Sequence, residues 1–169
     1  MKNKFQFLLF CFIVIGFSSC FIPIFPEAYE SNKAQDFTEK PRKILMYFDS
    51  GTPINKRIFE DFEKNLLELI RLSNVEVVAV PYKMAALDGE GDIAQKITSV
   101  APDVLLKISF VPPIIDGGPL VFDVKMLTPD QKKIQWRSLL SGNFTLSDRW
   151  AKNLSQKLVV QLRKDGILD

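Results

Sequence analysis

The chain contains no histidine among its 169 residues, and this limits what its side chains can do chemically. Histidine is the commonest general base and the commonest metal ligand in proteins. Its absence excludes Ser–His and Cys–His catalysis, and it excludes a zinc site with a histidine ligand. Among the groups that remain, the thiol of Cys20, the carboxylate of Asp49 and the carboxylates between Asp88 and Asp92 stand in sequence contexts that could indicate chemistry.

The thiol of Cys20 follows an N-terminal segment that is typical of exported proteins. Two lysines near the start precede an apolar stretch, and Ser18 and Ser19 then supply the small residues of a cleavage site. A cysteine at this point resembles the lipobox of bacterial lipoproteins, with Phe17 where an aliphatic residue is more usual. The resemblance implies that residues 1–19 are a signal peptide and that Cys20 becomes the acylated N-terminus.

An uncleaved membrane helix is the alternative for the same segment. The stretch from Phe5 to Phe25 is long enough to span a bilayer, but Pro23 and Pro26 interrupt its end. Under either interpretation the rest of the chain lies outside the cytoplasm and is held at a membrane. We expect a location in the bacterial cell envelope, facing the periplasm, with the outer membrane favoured over the inner.

The composition after the signal describes a domain with balanced charge. Removal of residues 1–19 leaves 150 residues with 20 basic and 20 acidic side chains. A domain without net charge has no overall field to attract nucleic acid, so we expect no nucleic-acid partner. Cys11 leaves with the signal and Cys20 is consumed by the lipid, so stability has to come from the core and not from disulfides.

Asp49-Ser50-Gly51-Thr52 follows an apolar run and resembles the active-site motif of aspartic proteases. In that family the aspartate shares a proton with a second aspartate from an equivalent loop. This chain holds no second copy of the motif, and the motif leads into a helix, whereas those proteases are rich in strands. A strand-to-helix turn explains the same residues. We therefore predict no catalytic residue here.

Three carboxylates lie within the five residues from Asp88 to Asp92, separated by two glycines. Calcium prefers such oxygen ligands. The run is too short for an EF-hand loop and lacks the glutamate that ends one. We predict a solvated loop in which Asp92 caps a helix, and we predict no metal site and no cofactor.

The segment from Pro112 to Gly118 is the candidate partner-binding site. Connections are usually polar at their tips, yet this one carries Ile114 and Ile115 between prolines and glycines. One interpretation is that the segment folds under the sheet. The other is an exposed apolar contact, which commonly marks an interaction surface. On that second interpretation we assign Ile114 and Ile115 as partner-binding residues.

Continuous apolar runs predict the strands that position Asp49 and the apolar connection. Such runs are typical of parallel strands buried on both faces. Segments with one apolar helical face lie between them. Two strand–helix–strand units in succession imply parallel pairing. The predicted strands cover 44–48, 75–80 and 104–111, and the predicted helices cover 55–72 and 92–100.

The apolar pattern changes to alternation further along the chain. Apolar and polar residues alternate over 120–127 and over 134–140, which predicts an antiparallel hairpin with one covered face. A helix capped by Ser147 then closes the chain, and Trp136 and Trp150 are expected to fill the seam between the hairpin and this helix. We predict α/β class, with a mixed sheet of about five strands in the order β-α-β-α-β-β-β-α.

The predicted chain has three regions. Residues 1–19 are the signal peptide, residues 20–42 are an acylated tether or linker, and residues 43–169 are a single α/β domain. The linker prediction rests on Glu27–Arg42, which is polar, mixed in charge and without a helical or strand period.

Four segments of the predicted domain share their order and spacing with a known family: Ala101–Leu106, the alternating strand through Val124, Ile134-Gln135-Trp136 and the helix from Ser147. They resemble envelope lipoproteins whose α/β domain is related to the N-terminal domain of TolB. The resemblance implies a non-enzymatic role as a binding or assembly accessory. It brings no catalytic residue with it.

The expected function is that of a lipid-anchored cell-envelope lipoprotein that binds a membrane through its lipid and an envelope protein through its domain. The alternative is small-ligand binding or weak carboxylate-dependent hydrolysis. That activity would use the crevice at the carboxyl ends of the parallel strands, near Asp49, Ser50 and Tyr82. A deep cleft lined by Asp49, Tyr82 and Ser109 would favour it. The lack of histidine and of convergent polar residues favours the first function.

Overall fold

The computed structural model describes residues 29–49, 56–80, 89–111, 120–142 and 148–169. Within these ranges six strands form one open, mixed sheet, and three helices pack on it. The strands are β1 Tyr29–Lys33, β2 Lys43–Phe48, β3 Glu76–Val80, β4 Val104–Val111, β5 Leu120–Leu127 and β6 Ile134–Gly142. The helices are α1 Lys56–Arg71, α2 Gly89–Val100 and α3 Asp148–Lys164.

The sheet has the strand order β1-β6-β5-β4-β2-β3. β2 is parallel to both of its neighbours, β3 and β4. The other pairs are antiparallel: β4 with β5, β5 with β6, and β6 with β1. The predicted α/β class and the mixed sheet are therefore confirmed. The described residues contain six strands, one more than the prediction, because β1 adds an edge strand.

The main core lies between one face of the sheet and the helices α1 and α3. Apolar residues at helical spacing on α1 face alternate residues of the central strands, as the amphipathic pattern predicts. Several phenylalanines meet there edge to face or tilted, with Phe62 and Phe122 centroids 5.8 Å apart. The buried set includes Ile44, Met46, Phe59, Phe62, Leu66, Ile70, Leu106, Ile108, Phe122, Val124, Leu158 and Leu162.

The opposite face of the sheet is covered by α2 over β2 and β3. Leu45, Tyr47, Leu105 and Leu127 are buried there. Three residues of α2 pack on them, namely Ile93, Ile97 and Val100. The helix begins at Gly89, so the prediction that Asp92 caps it is wrong, and Asp92 lies within its first turn.

Among the described residues no group of three or more acidic or cysteine side chains is arranged to hold a metal ion.

β1 lies inside the segment that the sequence predicts to be a linker. It pairs antiparallel with β6, from Tyr29 opposite Leu140 to Lys33 opposite Trp136. The chain then continues along the domain, where Phe37 is only 6% exposed and belongs to the main core. The linker prediction is therefore wrong from Tyr29 to Arg42. The prediction fails because β1 is held in the sheet by backbone hydrogen bonds to β6. A polar sequence without apolar alternation can form such a strand.

None of the helices in the described ranges is both long enough and apolar enough to cross a membrane.

Candidate functional site

Asp49 directly follows β2, at the end of the sheet where the carboxyl ends of the parallel strands lie. Its Oδ2 forms an ion pair with Lys107 Nζ at 2.8 Å and accepts a hydrogen bond from Ser109 Oγ at 3.3 Å. Its backbone N–H donates to the carbonyl oxygen of Ile108 at 2.9 Å. Asp49 thus ties the end of β2 to β4 through both its backbone and its side chain.

The contacts of the Asp49 carboxylate hold it against the neighbouring strand β4. The contacts with Lys107 and Ser109 fall on the same carboxylate oxygen, Oδ2, so donors of the neighbouring strand occupy this oxygen. Burial, together with the charge of Asp49, raises the pKa of Tyr47 to about 12. The Tyr47 hydroxyl therefore stays protonated at neutral pH.

Beyond the part covered by α2, the same face of the sheet carries no helix among the described residues. We call this surface of β4, β5, β6 and β1 the open face. Antiparallel strands often leave one face in water, where polar side chains alternate with core-facing ones. The open face comprises Glu30, Asn32, Lys107, Ser109, Val111, Val121, Asp123, Lys125, Arg137 and Leu139.

The charges in the middle of the open face are paired with one another. Asp123 accepts hydrogen bonds from Arg137 Nε at 2.7 Å and Nη2 at 3.0 Å, and it forms an ion pair with Lys125 at 2.9 Å. Burial raises the pKa of Asp123, but the hydrogen bonds from Arg137 and Lys125 outweigh it and leave that pKa below its usual value. The same contact raises the pKa of Arg137. The pairing fixes these long side chains across β5 and β6.

An apolar corner completes the open face at the end of β4. Val111 is 41% exposed and stands directly opposite Val121 on β5. Leu139, 38% exposed, lies on the same face of β6. We call Val111 and Val121 the apolar corner. The chain leaves the sheet at Val111 and returns at Leu120, so the connection that holds Ile114 and Ile115 starts and ends at this corner.

A polar cleft of about 800 Å³ lies at the opposite end of the sheet, between the 36–42 connection and the start of β4. Asp103 at its wall accepts hydrogen bonds from the backbone N–H groups of Arg42 and Lys43, at 2.8 and 2.9 Å. Lys133 forms an ion pair with Asp36 across its rim. These contacts fix the position of the connection between β1 and β2. Gln135 also lines the cleft, and its buried Oε1 has no hydrogen-bond partner among the described residues.

The structure brings together only some of the predicted site residues. Asp49 and Ser109, two residues of the predicted crevice, are in contact. Tyr82 lies outside the described residues. The predicted lipidation site, Cys20, and the predicted partner-binding residues, Ile114 and Ile115, also lie outside them.

The two tryptophans occupy the predicted seam to different degrees. Trp136 is completely buried, and its indole N–H donates to Asp165 Oδ2 at 2.7 Å. Trp150 is half-buried, with its ring centroid 5.8 Å from that of Phe122 on β5. The placement of the last strand against the closing helix is therefore confirmed, with full burial at Trp136 alone.

The paired charges of the open face were missed by sequence reasoning. Asp123 and Lys125 stand two apart on β5, which places them on one face, and this alternation was the available signal. Their contact with Arg137 depends on the register between β5 and β6, which shifts between Met126 and Leu127. Hydrophobic alternation shows which residues of a strand share a face. It does not show which residue of the neighbouring strand stands opposite, and the irregularity changes that pairing by one residue.

No protein-family model and no curated protein sequence matches the chain. Among solved structures, the fold is similar to the PelC dodecamer from Paraburkholderia phytofirmans, with a TM-score of 0.54 and 11% identity over 81% of this chain and 97% of that one. A second PelC dodecamer from the same organism, a variant, gives 0.52 and 10% identity over 79% and 96%. TolB from Acinetobacter baumannii gives 0.40 and 11%, over 85% of this chain and 32% of that one. The PelC likenesses show the fold alone.

Proposed function

We propose that this protein is a lipid-anchored cell-envelope lipoprotein that acts as a non-enzymatic binding or assembly accessory. The anchor is an acylated Cys20, and the folded domain contacts another protein of the envelope. The observation that carries the binding role is the apolar corner, because the exposed Val111 and the half-buried Val121 lie next to the two ends of the connection that contains Ile114 and Ile115.

The surroundings of the apolar corner suit a protein contact. Asp123 lies on the same face, two residues from Val121 along β5, and is already paired with Lys125 and Arg137, so a partner that covers the corner does not have to neutralise it. Apolar anchors near the centre of a contact supply most of its binding energy. A partner that fits this surface has an apolar patch with a polar, electrically balanced rim.

The balance of charge supports the same type of contact. With 20 basic and 20 acidic side chains after the signal, the domain has no excess charge to attract a partner over a distance. The lipid instead confines the domain to a membrane, where its partners are concentrated. PelC, one of the proteins with a similar fold, forms a dodecamer, and assembly with other chains is the kind of role we propose here.

Replacing Cys20 by alanine is expected to abolish membrane anchoring. Without the thiol there is no sulfur to acylate, so the chain either remains as an unprocessed precursor or is released. Membrane fractionation with immunoblotting reports both its size and its location. Cys11→Ala is the matched control, because this cysteine lies inside the predicted signal, and it should behave as wild type. Unchanged size and membrane retention in Cys20→Ala would contradict the lipoprotein proposal.

Changing Ile114 and Ile115 together to aspartate is expected to abolish capture of the partner. Two charges at an apolar anchor remove its contact and add a desolvation cost. Crosslinking in native membranes, followed by identification of the captured proteins, measures the effect. Circular dichroism of the purified variant checks that the domain still folds.

Asp49→Asn is the matched control for the same crosslinking experiment. Asparagine keeps the shape of the side chain and its contact with Ser109, so we expect capture and phenotype to remain as in wild type. Loss of function in a folded Asp49→Asn variant, with the Ile114 and Ile115 double variant unaffected, would favour the alternative of a small-ligand site or weak hydrolase.

A further inference from the structure

We infer that one end of the sheet faces the lipid surface in the anchored domain, namely the end that holds the carboxyl ends of β2, β3 and β4. The inference rests on the proposed anchor at Cys20 and specifies how that anchor holds the domain. Two observations carry it. One is the short distance along the chain between Cys20 and β1, and the other is the place where β1 enters the sheet.

The chain between the anchor and the folded domain is short. Tyr29, the first residue of β1, is the ninth residue after Cys20. Nine residues reach at most about 30 Å when fully extended, and a flexible chain of that length spans about 17 Å on average. If the domain instead began at Lys43, the limit would be about 80 Å and any orientation would be reachable.

β1 enters the sheet at the end where the parallel strands terminate. Tyr29 stands opposite Leu140 on β6, which stands opposite Phe122 on β5. Phe122 in turn stands opposite Phe110, the residue before the end of β4. Because β4 is parallel to β2 and β3 lies parallel on the other side of β2, the tether arrives at the level of their carboxyl ends.

The far end of the domain lies too distant for easy contact with the lipid. The eight residues of β4 alone extend about 25 Å. Helix α3 runs from the lipid-facing end of the sheet toward the far end. Trp150 in its first turn packs on Phe122, near the lipid-facing end. Asp165, just past its last residue, accepts a hydrogen bond from the indole N–H of Trp136, nearer the far end. A domain turned over would need the tether stretched almost to its limit, which costs chain entropy.

The orientation specifies the partner of the proposed function. The apolar corner lies at the end of β4 and hence on the lipid side of the domain. A protein that covers this corner has to be present at the membrane surface. This favours a membrane-embedded envelope protein over one that diffuses in the periplasm.

Single thiols at the two ends of α3 test the orientation. Arg149→Cys and Lys164→Cys replace exposed basic residues in the first and last turns of the same helix, about 22 Å apart along its axis. Each lipidated variant is labelled with a fluorophore and reconstituted in phospholipid vesicles that carry a quencher on the headgroups. We expect several-fold stronger quenching of the label at position 149 than at position 164. Equal quenching, or stronger quenching at 164, would overturn the inference.

Two controls separate failure of the orientation from failure of the anchor. The wild-type lipoprotein, with Cys20 acylated and Cys11 removed, has no free thiol and should take up no label. Labelling of wild type at Cys20 would overturn the proposed anchor and the inference with it. When wild type stays unlabelled and co-sediments with the vesicles, the anchor stands, and the quenching ratio then decides the orientation alone.

Discussion

Replacing Trp136 by alanine is expected to lower the free energy of unfolding by about 3–5 kcal/mol, the usual cost of truncating a fully buried aromatic residue. Trp136 is completely buried on β6, next to the edge strand β1. Its indole N–H also donates to Asp165 at the end of α3. The alanine variant loses the packing of the ring and the link between the sheet and the closing helix. Denaturant unfolding followed by circular dichroism measures the change.

Two further variants show whether burial is the cause of the Trp136 effect. Trp150→Ala removes the same atoms from a half-buried site, so its cost should be clearly smaller. Trp136→Phe keeps much of the volume and loses the hydrogen bond to Asp165, so it should fall between wild type and Trp136→Ala. A cost for Trp136→Ala no larger than that for Trp150→Ala would contradict the packing of β6 against α3.

The elements with strong apolar patterns could be predicted from the sequence. Ile44-Leu45-Met46-Tyr47-Phe48 is buried on two faces, by α1 and α3 on one side and α2 on the other, and a continuous apolar run reflects this. The face of α1 that carries Phe59, Phe62 and Leu66 is equally clear. In each case the residues that make the pattern are those that form the core.

β1 could not be predicted because its sequence, Tyr-Glu-Ser-Asn-Lys, carries no apolar alternation. An edge strand with one exposed face and one free edge is held by backbone hydrogen bonds, to which side-chain type contributes little. Its side-chain contacts are long-range and polar: Gln161 donates to Ser31 Oγ at 2.7 Å, and Lys33 Nζ donates to the Asp165 carbonyl at 3.0 Å. Pairs so far apart in the chain leave no local signal.

The candidate site was predictable to a similar extent. The end of a parallel strand is where ligands bind in open α/β sheets, and this placed Asp49 and Ser109 near one another correctly. The partner of the Asp49 carboxylate, Lys107, was not predicted, because a lysine inside an apolar run gives no indication of which neighbouring strand it reaches.

The corrected start of the domain leads to the second large effect. We expect a fragment of residues 29–169 to fold and a fragment of residues 43–169 to be severely destabilised. The shorter fragment lacks β1, so β6 becomes an unpaired edge beside Trp136. It also lacks Phe37, which is buried in the main core. Both changes expose apolar and backbone groups that the full domain covers.

The size of this effect follows from the lost contacts. Loss of a buried phenylalanine costs about 3–5 kcal/mol by itself. Natural domains are stable by only about 5–15 kcal/mol. Adding the lost pairing of five residues and the polar contacts of Ser31 and Lys33 brings the shorter fragment close to the limit of folding. Denaturant unfolding of the two fragments, compared at equal concentration, gives the difference.

Phe37→Ala in the longer fragment separates packing from strand pairing. This variant keeps β1 and loses only the buried ring, so its cost should be about 3–5 kcal/mol and smaller than that of removing residues 29–42. If residues 43–169 unfold at the same denaturant concentration as residues 29–169, the segment contributes nothing to stability and behaves as the spacer that its composition indicates. In that case the tether from Cys20 would also be long, and the domain could turn freely at the membrane. The stability of β1 therefore decides how closely the anchor controls the orientation of the domain.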